Sequence, residues 1–89
     1  MIYRYFVGDT KGWVEVRKSE LAKANVLDLI STCSYEKGEY IYLDEDIDFS
    51  FFLCLFNDNT ELEKIQVKDN YFNQYKIYRG GLQWVQEQQ

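Results

Sequence analysis

With 89 residues, a formal net charge of −5, no histidine and no proline, the chain has the size of one domain. Mechanisms that need an imidazole are excluded: Ser-His-Asp and Cys-His nucleophile pairs and most zinc sites. Six Phe, eight Tyr and two Trp supply the large apolar areas that so short a chain needs, since it hides only about 60% of its unfolded surface on folding.

Tyr3-Arg4-Tyr5-Phe6-Val7 and Trp13-Val14-Glu15-Val16-Arg17 are rich in aromatic and β-branched residues. Gly8-Asp9-Thr10-Lys11-Gly12 lies between them, which predicts a hairpin. Ser19 suits a helix N-cap and Glu20 the positive end of a helix dipole. Ala22, Val26, Leu29, Ile30 and Cys33 fall on one stripe, so the spacing predicts a helix over residues 20–32. Lys37-Gly38 reads as a turn closing a short hairpin between Ser34-Tyr35 and a strand Glu39-Tyr40-Ile41-Tyr42-Leu43.

The run Phe49-Ser50-Phe51-Phe52-Leu53-Cys54-Leu55-Phe56 is apolar enough for a buried strand or a buried helix. Its flanks favour a short helix: Asp48 as cap, acids before it, Asn57 as a left-handed stop. Phe49, Phe52, Leu53 and Phe56 would share its inner face. Residues 62–68 alternate, with Ile65 and Val67 on the apolar side of a half-exposed strand. Tyr75-Lys76-Ile77-Tyr78-Arg79, Gly80-Gly81 and Leu82-Gln83-Trp84-Val85 predict a last hairpin with a two-residue loop, and residues 86–89 are expected to fray.

The order β-β-α-β-α-β-β, with an extra short strand at Ser34-Tyr35, predicts a single α+β domain over residues 1–89. Its sheet is small and mainly antiparallel, with two helices packed on one face. Residues 40–67 read as a crossover unit that makes one strand pair parallel.

The opening Met1-Ile2-Tyr3-Arg4-Tyr5-Phe6 lacks the pattern of a signal peptide, and the longest apolar run is far shorter than a membrane span. A cytoplasmic protein with no membrane contact is expected. Cys33 and Cys54 are 21 positions apart and read as buried thiols in a reducing compartment, with a single bridge between them as the alternative. Trp13 and Trp84 would meet if the two terminal hairpins are neighbours, as shared core packing.

Charge is the most distinctive feature. Residues 36–63 hold nine acids against the single base Lys37 and net −8, whereas the part before nets +1 and the part after nets +2. Asp44-x-Asp46-x-Asp48 resembles the start of a calcium loop, but the loop needs Gly at its sixth position and Glu at its twelfth. Phe49 and Leu55 stand there. Helix capping and solubility explain these acids more simply than a divalent ion, so no metal and no cofactor is expected.

An enzyme is not expected either. Asp46 and Asp48 could do acid–base work only if buried, and their dense acidic turn suggests that they are wet. Gly8 and Gly12 are not followed by the Lys-Ser/Thr of a phosphate loop.

Ser34-Tyr35, Gly38, Tyr40 to Leu43, Glu45-Asp46 and Asp48, followed by an apolar helix, resemble small proteins encoded by bacteriophages and other mobile elements. In these a Tyr-Leu strand leads through an acidic Glu-Asp-x-Asp turn into a helix. The resemblance spans residues 34–56, about a quarter of the chain. Asp44 stands where another Glu is expected, and the helix is unusually rich in Phe. The resemblance implies phage origin and action in the host cytoplasm. It carries no catalytic residue. Among such proteins are inhibitors of host machinery, anti-CRISPR proteins included.

The expected function is therefore protein binding. Asp44, Glu45, Asp46 and Asp48 would form an anionic knob with Tyr40 and Tyr42 at its rim, imitating nucleic acid toward the basic surface of a nucleic-acid enzyme. A homodimer or accessory domain pairing through the edge of the hairpin at 75–85 is one alternative. Another is a face of Tyr75, Lys76, Tyr78 and Arg79 that binds single-stranded nucleic acid weakly. The chain's overall charge argues against direct nucleic-acid binding.

Overall fold

A computed structural model describes residues 2–55, 61–68 and 70–79. Alternation of β-branched and aromatic residues produces β1 (Ile2–Val7) and β2 (Gly12–Arg17), paired antiparallel with Phe6 opposite Trp13. A hydrogen bond from the Gly8 amide to the Lys11 carbonyl (2.7 Å) closes their loop. This is the predicted hairpin.

The predicted helix over 20–32 is shorter and differently placed. Helix α1 runs Lys18–Lys23, and its N-cap is Arg17, whose side chain makes no cap hydrogen bond, in place of Ser19. It stops because Asn25 takes a left-handed φ of 60°, a conformation that Asn tolerates and that ends helices. A single 3-10 turn, Leu27–Leu29, follows. The buried residues here are Leu21, Val26 and Ile30, while Leu29 is 60% exposed and Ala22 and Cys33 are also exposed. The helical stripe was one reading of spaced apolar residues; a helix broken at Asn25 buries a different set.

The second hairpin forms as expected. β3 (Tyr35–Lys37) and β4 (Tyr40–Asp44) flank Gly38, whose φ of 59° suits a residue without Cβ. Helix α2 (Asp48–Leu55) takes up the Phe-rich run and buries Phe49 and Phe52. The side chains of Leu53 and Cys54 lie outside the described residues, as do Phe56 and Asn57.

β5 (Glu61–Gln66) is parallel, but to β1 and not to the strand it leaves. β2 and β3 already occupy both edges of β4, so the chain passes α2 and takes the free edge of β1. A 3-10 turn Tyr71–Gln74 then leads to β6 (Lys76–Ile77), which pairs with β3. The six described strands form one mixed, mostly antiparallel sheet in the order β5-β1-β2-β4-β3-β6. The element order is thus β-β-α-β-β-α-β-β. The hairpin partner at 82–85 and Trp84 fall outside the described residues.

The sheet has two apolar clusters. Tyr3, Val14, Val16, Ile41 and Leu43 meet Leu21, Val26, Ile30, Phe49, Phe52 and Tyr78. Residues of the opposite parity, Phe6, Trp13 and Tyr42, meet Phe72, with Tyr35, Tyr40, Ile65, Val67, Tyr71 and Tyr75 around them. Both α1 and α2 feed the first cluster; the 3-10 turn at Tyr71–Gln74 feeds the second. Burying each of these large side chains is worth roughly 1.5–3 kcal/mol, and Phe52 and Phe72 are fully buried.

Candidate functional site

The acidic turn after β4 is largely turned inward. Asp44 is 1% exposed and Asp48 3% exposed. Asp44 Oδ1 accepts hydrogen bonds from the amides of Asp46 and Ile47 (3.0 and 3.1 Å), the turn-forming use of a short carboxylate. Its Oδ2 faces the Lys11 ammonium at 3.2 Å, and this hydrogen bond raises the Lys11 pKa. Asp48 accepts from the Ser31 amide and from the hydroxyls of Ser31 (2.8 Å) and Ser34, and so ties the loop before β3 to the start of α2. Ser34 in turn accepts from the Asp44 amide.

Glu45 accepts from the Tyr5 hydroxyl at 2.7 Å; burial, reinforced by this bond, pushes the Tyr5 pKa up to about 12. Gly12 lies beneath that contact. A Cβ there would sit 2.5 Å from Tyr5 Cε1 and 2.7 Å from Glu45 Oε1, so any side chain at this position would force the Tyr5 ring and the Glu45 carboxylate to shift.

Of the four carboxylates expected in an anionic knob, only Asp46 is exposed, and Glu45 is half-buried. The expectation that Asp46 and Asp48 are both wet is corrected for Asp48. Carboxylates close to unpaired amides and hydroxyls gain charge-assisted hydrogen bonds by turning inward, and charge density along the chain does not reveal this. Among the described residues, no group of three or more His, Cys, Asp or Glu is placed to hold a metal ion. Cys33, expected to be buried, is an exposed free thiol.

The alternative set also divides. Tyr75 packs on the second cluster, beside Tyr42 (ring centroids 5.0 Å). Tyr78 is buried in the first, its hydroxyl donating to the Leu27 carbonyl. Lys76 and Arg79 are exposed. Tyr75, Lys76, Tyr78 and Arg79 therefore do not make one face.

What the fold does assemble is a half-sheet that the Tyr71–Gln74 turn leaves open. Alternation sends Arg4 of β1, Glu15 and Arg17 of β2, Tyr40 and Tyr42 of β4 and Lys37 of β3 to the same side. Glu15 is 8% exposed and fully engaged: Arg4 Nε and Nη2 grip both its oxygens (2.8 and 2.7 Å), and Tyr42 Oη donates at 2.9 Å. The bond to Glu15 raises the Arg4 pKa. Burial, reinforced by the same carboxylate, raises that of Tyr42.

Around this centre the outer cations rest on rings. The Arg17 guanidinium lies 5.8 Å from the Tyr40 centroid, and Lys37 Nζ lies 5.0 Å from that of Tyr75. An open cleft of about 390 Å³ is lined by Arg4, Glu15, Lys37, Tyr40, Tyr42 and Tyr75. A second cleft, of about 360 Å³, shares Arg4, Glu15 and Tyr40 with it and extends to Ile2 and Arg17. Tyr40 and Tyr42, expected at the rim of the acidic turn, thus belong to this half-sheet. Glu15 and Arg17 were missed as site residues, although their shared parity with Trp13, against Val14 and Val16, puts them on one face.

No family model, curated protein or solved structure matches the chain. Among the described residues, no helix is long and apolar enough to cross a membrane.

Proposed function

We propose that this protein is a small non-catalytic binding domain that engages a protein partner through the open half of its sheet. The observation that carries the proposal is the grouping of Arg4, Arg17, Tyr40 and Tyr75 around the buried Glu15 carboxylate, which Arg4 grips from the surface and Tyr42 from within. Arg and Tyr dominate the residues on which protein interfaces depend most. A charge pair already locked in place reduces the ordering cost of binding. Ile2 adds 65% exposed apolar surface at the margin.

Phage origin, action in the host cytoplasm and inhibition of a host nucleic-acid enzyme remain part of this proposal. Its acidic-mimic version is the weaker form, since Asp44 and Asp48 are committed to the fold.

Affinity capture from a bacterial lysate with wild type, Tyr40→Ala, Arg17→Glu and Asp46→Lys tests the choice of surface. The proposal expects the captured partner to be lost with the first two variants and kept with the third. Loss with Asp46→Lys alone returns the site to the acidic turn.

A further inference from the structure

We infer that the partner presents a short acidic segment, two carboxylates flanking an apolar or aromatic side chain, to the row Arg17–Tyr40–Lys37; this rests on the half-sheet reading above. Arg17 and Lys37 both lie directly opposite Tyr40 in the strand register, one on each side. Neighbouring strands are about 4.8 Å apart, so the two cations originate roughly 10 Å from each other. In an extended segment alternate residues share a face, so two acids four apart with an apolar residue midway present all three side chains to the row over about 13 Å. The long Arg17 and Lys37 side chains reach that span by leaning outward, with the middle side chain on the Tyr40 ring.

The charges around the row are unequally used. Glu15 is held by Arg4 and Tyr42, Glu20 by the Tyr3 hydroxyl, and Glu36 by Lys18 at 2.7 Å. Among the described residues, Arg17 and Lys37 are both exposed and have aromatic partners, Tyr40 and Tyr75, in place of carboxylates. An incoming carboxylate gains a charged partner there without displacing one.

A polyphosphate strand fits less well. Glu39 lines the same cleft, and Glu61 and Glu63 stand on β5, beyond β1 at the edge of the same sheet. With a chain charge of −5, they repel a ligand carrying one charge per nucleotide more than one carrying two charges in all.

The test is fluorescence anisotropy at low salt with two probes on the intact chain: a labelled peptide Gly-Asp-Gly-Phe-Gly-Asp-Gly, whose Asp, Phe and Asp share one face when extended, and a labelled twelve-nucleotide oligothymidine. The expected result is saturable binding of the peptide. The Arg17→Glu, Lys37→Glu double variant should weaken it about tenfold, the scale of two exposed charge pairs. Replacing both peptide aspartates by asparagine should have a similar effect, and an unchanged urea midpoint shows that the double variant folds. Absent peptide binding, or binding that the double variant leaves intact, overturns the inference. So does tighter binding of the oligonucleotide lost in the same variant, which assigns the row to nucleic acid. If the peptide fails while Tyr40→Ala still abolishes capture of a protein partner, the acidic-segment inference falls and the half-sheet reading stands.

Discussion

The acidic turn and the open half-sheet are built from similar materials and use them in opposite directions. At the turn, Asp44, Glu45 and Asp48 spend their oxygens on Lys11, Tyr5, Ser31, Ser34 and two backbone amides. On the half-sheet a single carboxylate, Glu15, is used inward, while Arg17 and Lys37 stay at the surface on aromatic rings. The acidic turn, in the region with the most charge, is therefore mainly structural, and a region of ordinary charge holds accessible cations seated on aromatic rings. Buried hydrogen-bonded carboxylates stabilise the fold only while their donors remain. Exposed charges stabilise it little and are free to meet a partner.

The sharpest way to break this comparison is Asp48→Ala. It removes the acceptor shared by the Ser31 amide and two serine hydroxyls and should cost about 3 kcal/mol in urea unfolding. A cost under about 0.5 kcal/mol would mean that Asp48 is a surface acid after all. Next is Gly12→Ala, whose methyl group meets the Tyr5 ring and Glu45. Overpacking of this kind costs roughly 1–3 kcal/mol, and the double variant with Tyr5→Leu should recover part of it if the clash is the cause.

Tyr42→Phe probes the half-sheet in the same way and should cost about 1 kcal/mol at neutral pH through the lost bond to Glu15. The variant also carries a pH signature. Burial raises the Tyr42 pKa above the ordinary 10.0, so the folded chain keeps that proton longer than the unfolded one. The resulting stability is complete below pH 10 and drains away as pH rises beyond it. Wild type should therefore lose stability steeply above pH 10, and Tyr42→Phe less steeply. Equal slopes would remove Tyr42 from the alkaline transition.

The smallest expected effect on stability comes from Arg17→Glu and Asp46→Lys, each within about 0.5 kcal/mol of wild type. They sharpen the comparison through binding: only Arg17→Glu should reduce partner capture.

Both hairpins, α2 and the alternation of β5 were legible because each rests on local physics: β-branched and aromatic runs, glycine-bearing turns, and an apolar run preceded by acids. Helix α1 was overextended because Ala22, Val26, Leu29 and Ile30 satisfy a helical stripe on paper, while Asn25 accepts a left-handed backbone that ends it. The partner of β5 was not legible, since the free edge of β1 depends on where β2 and β3 have already paired. Of the candidate site, Tyr40, Tyr42 and Tyr75 were named from the chain, but in the wrong company. Tyr78, three residues after Tyr75, lies in the opposite cluster.

By itself, then, the chain determined an α+β domain with a concentration of acids before its second helix, because periodicity and composition act over a few residues. Tertiary structure alone decided which charges reach the surface. Whether a carboxylate stays in water depends on donors that arrive from distant positions, Lys11 for Asp44, Ser31 for Asp48 and Arg4 for Glu15, and folding is what brings those donors within reach.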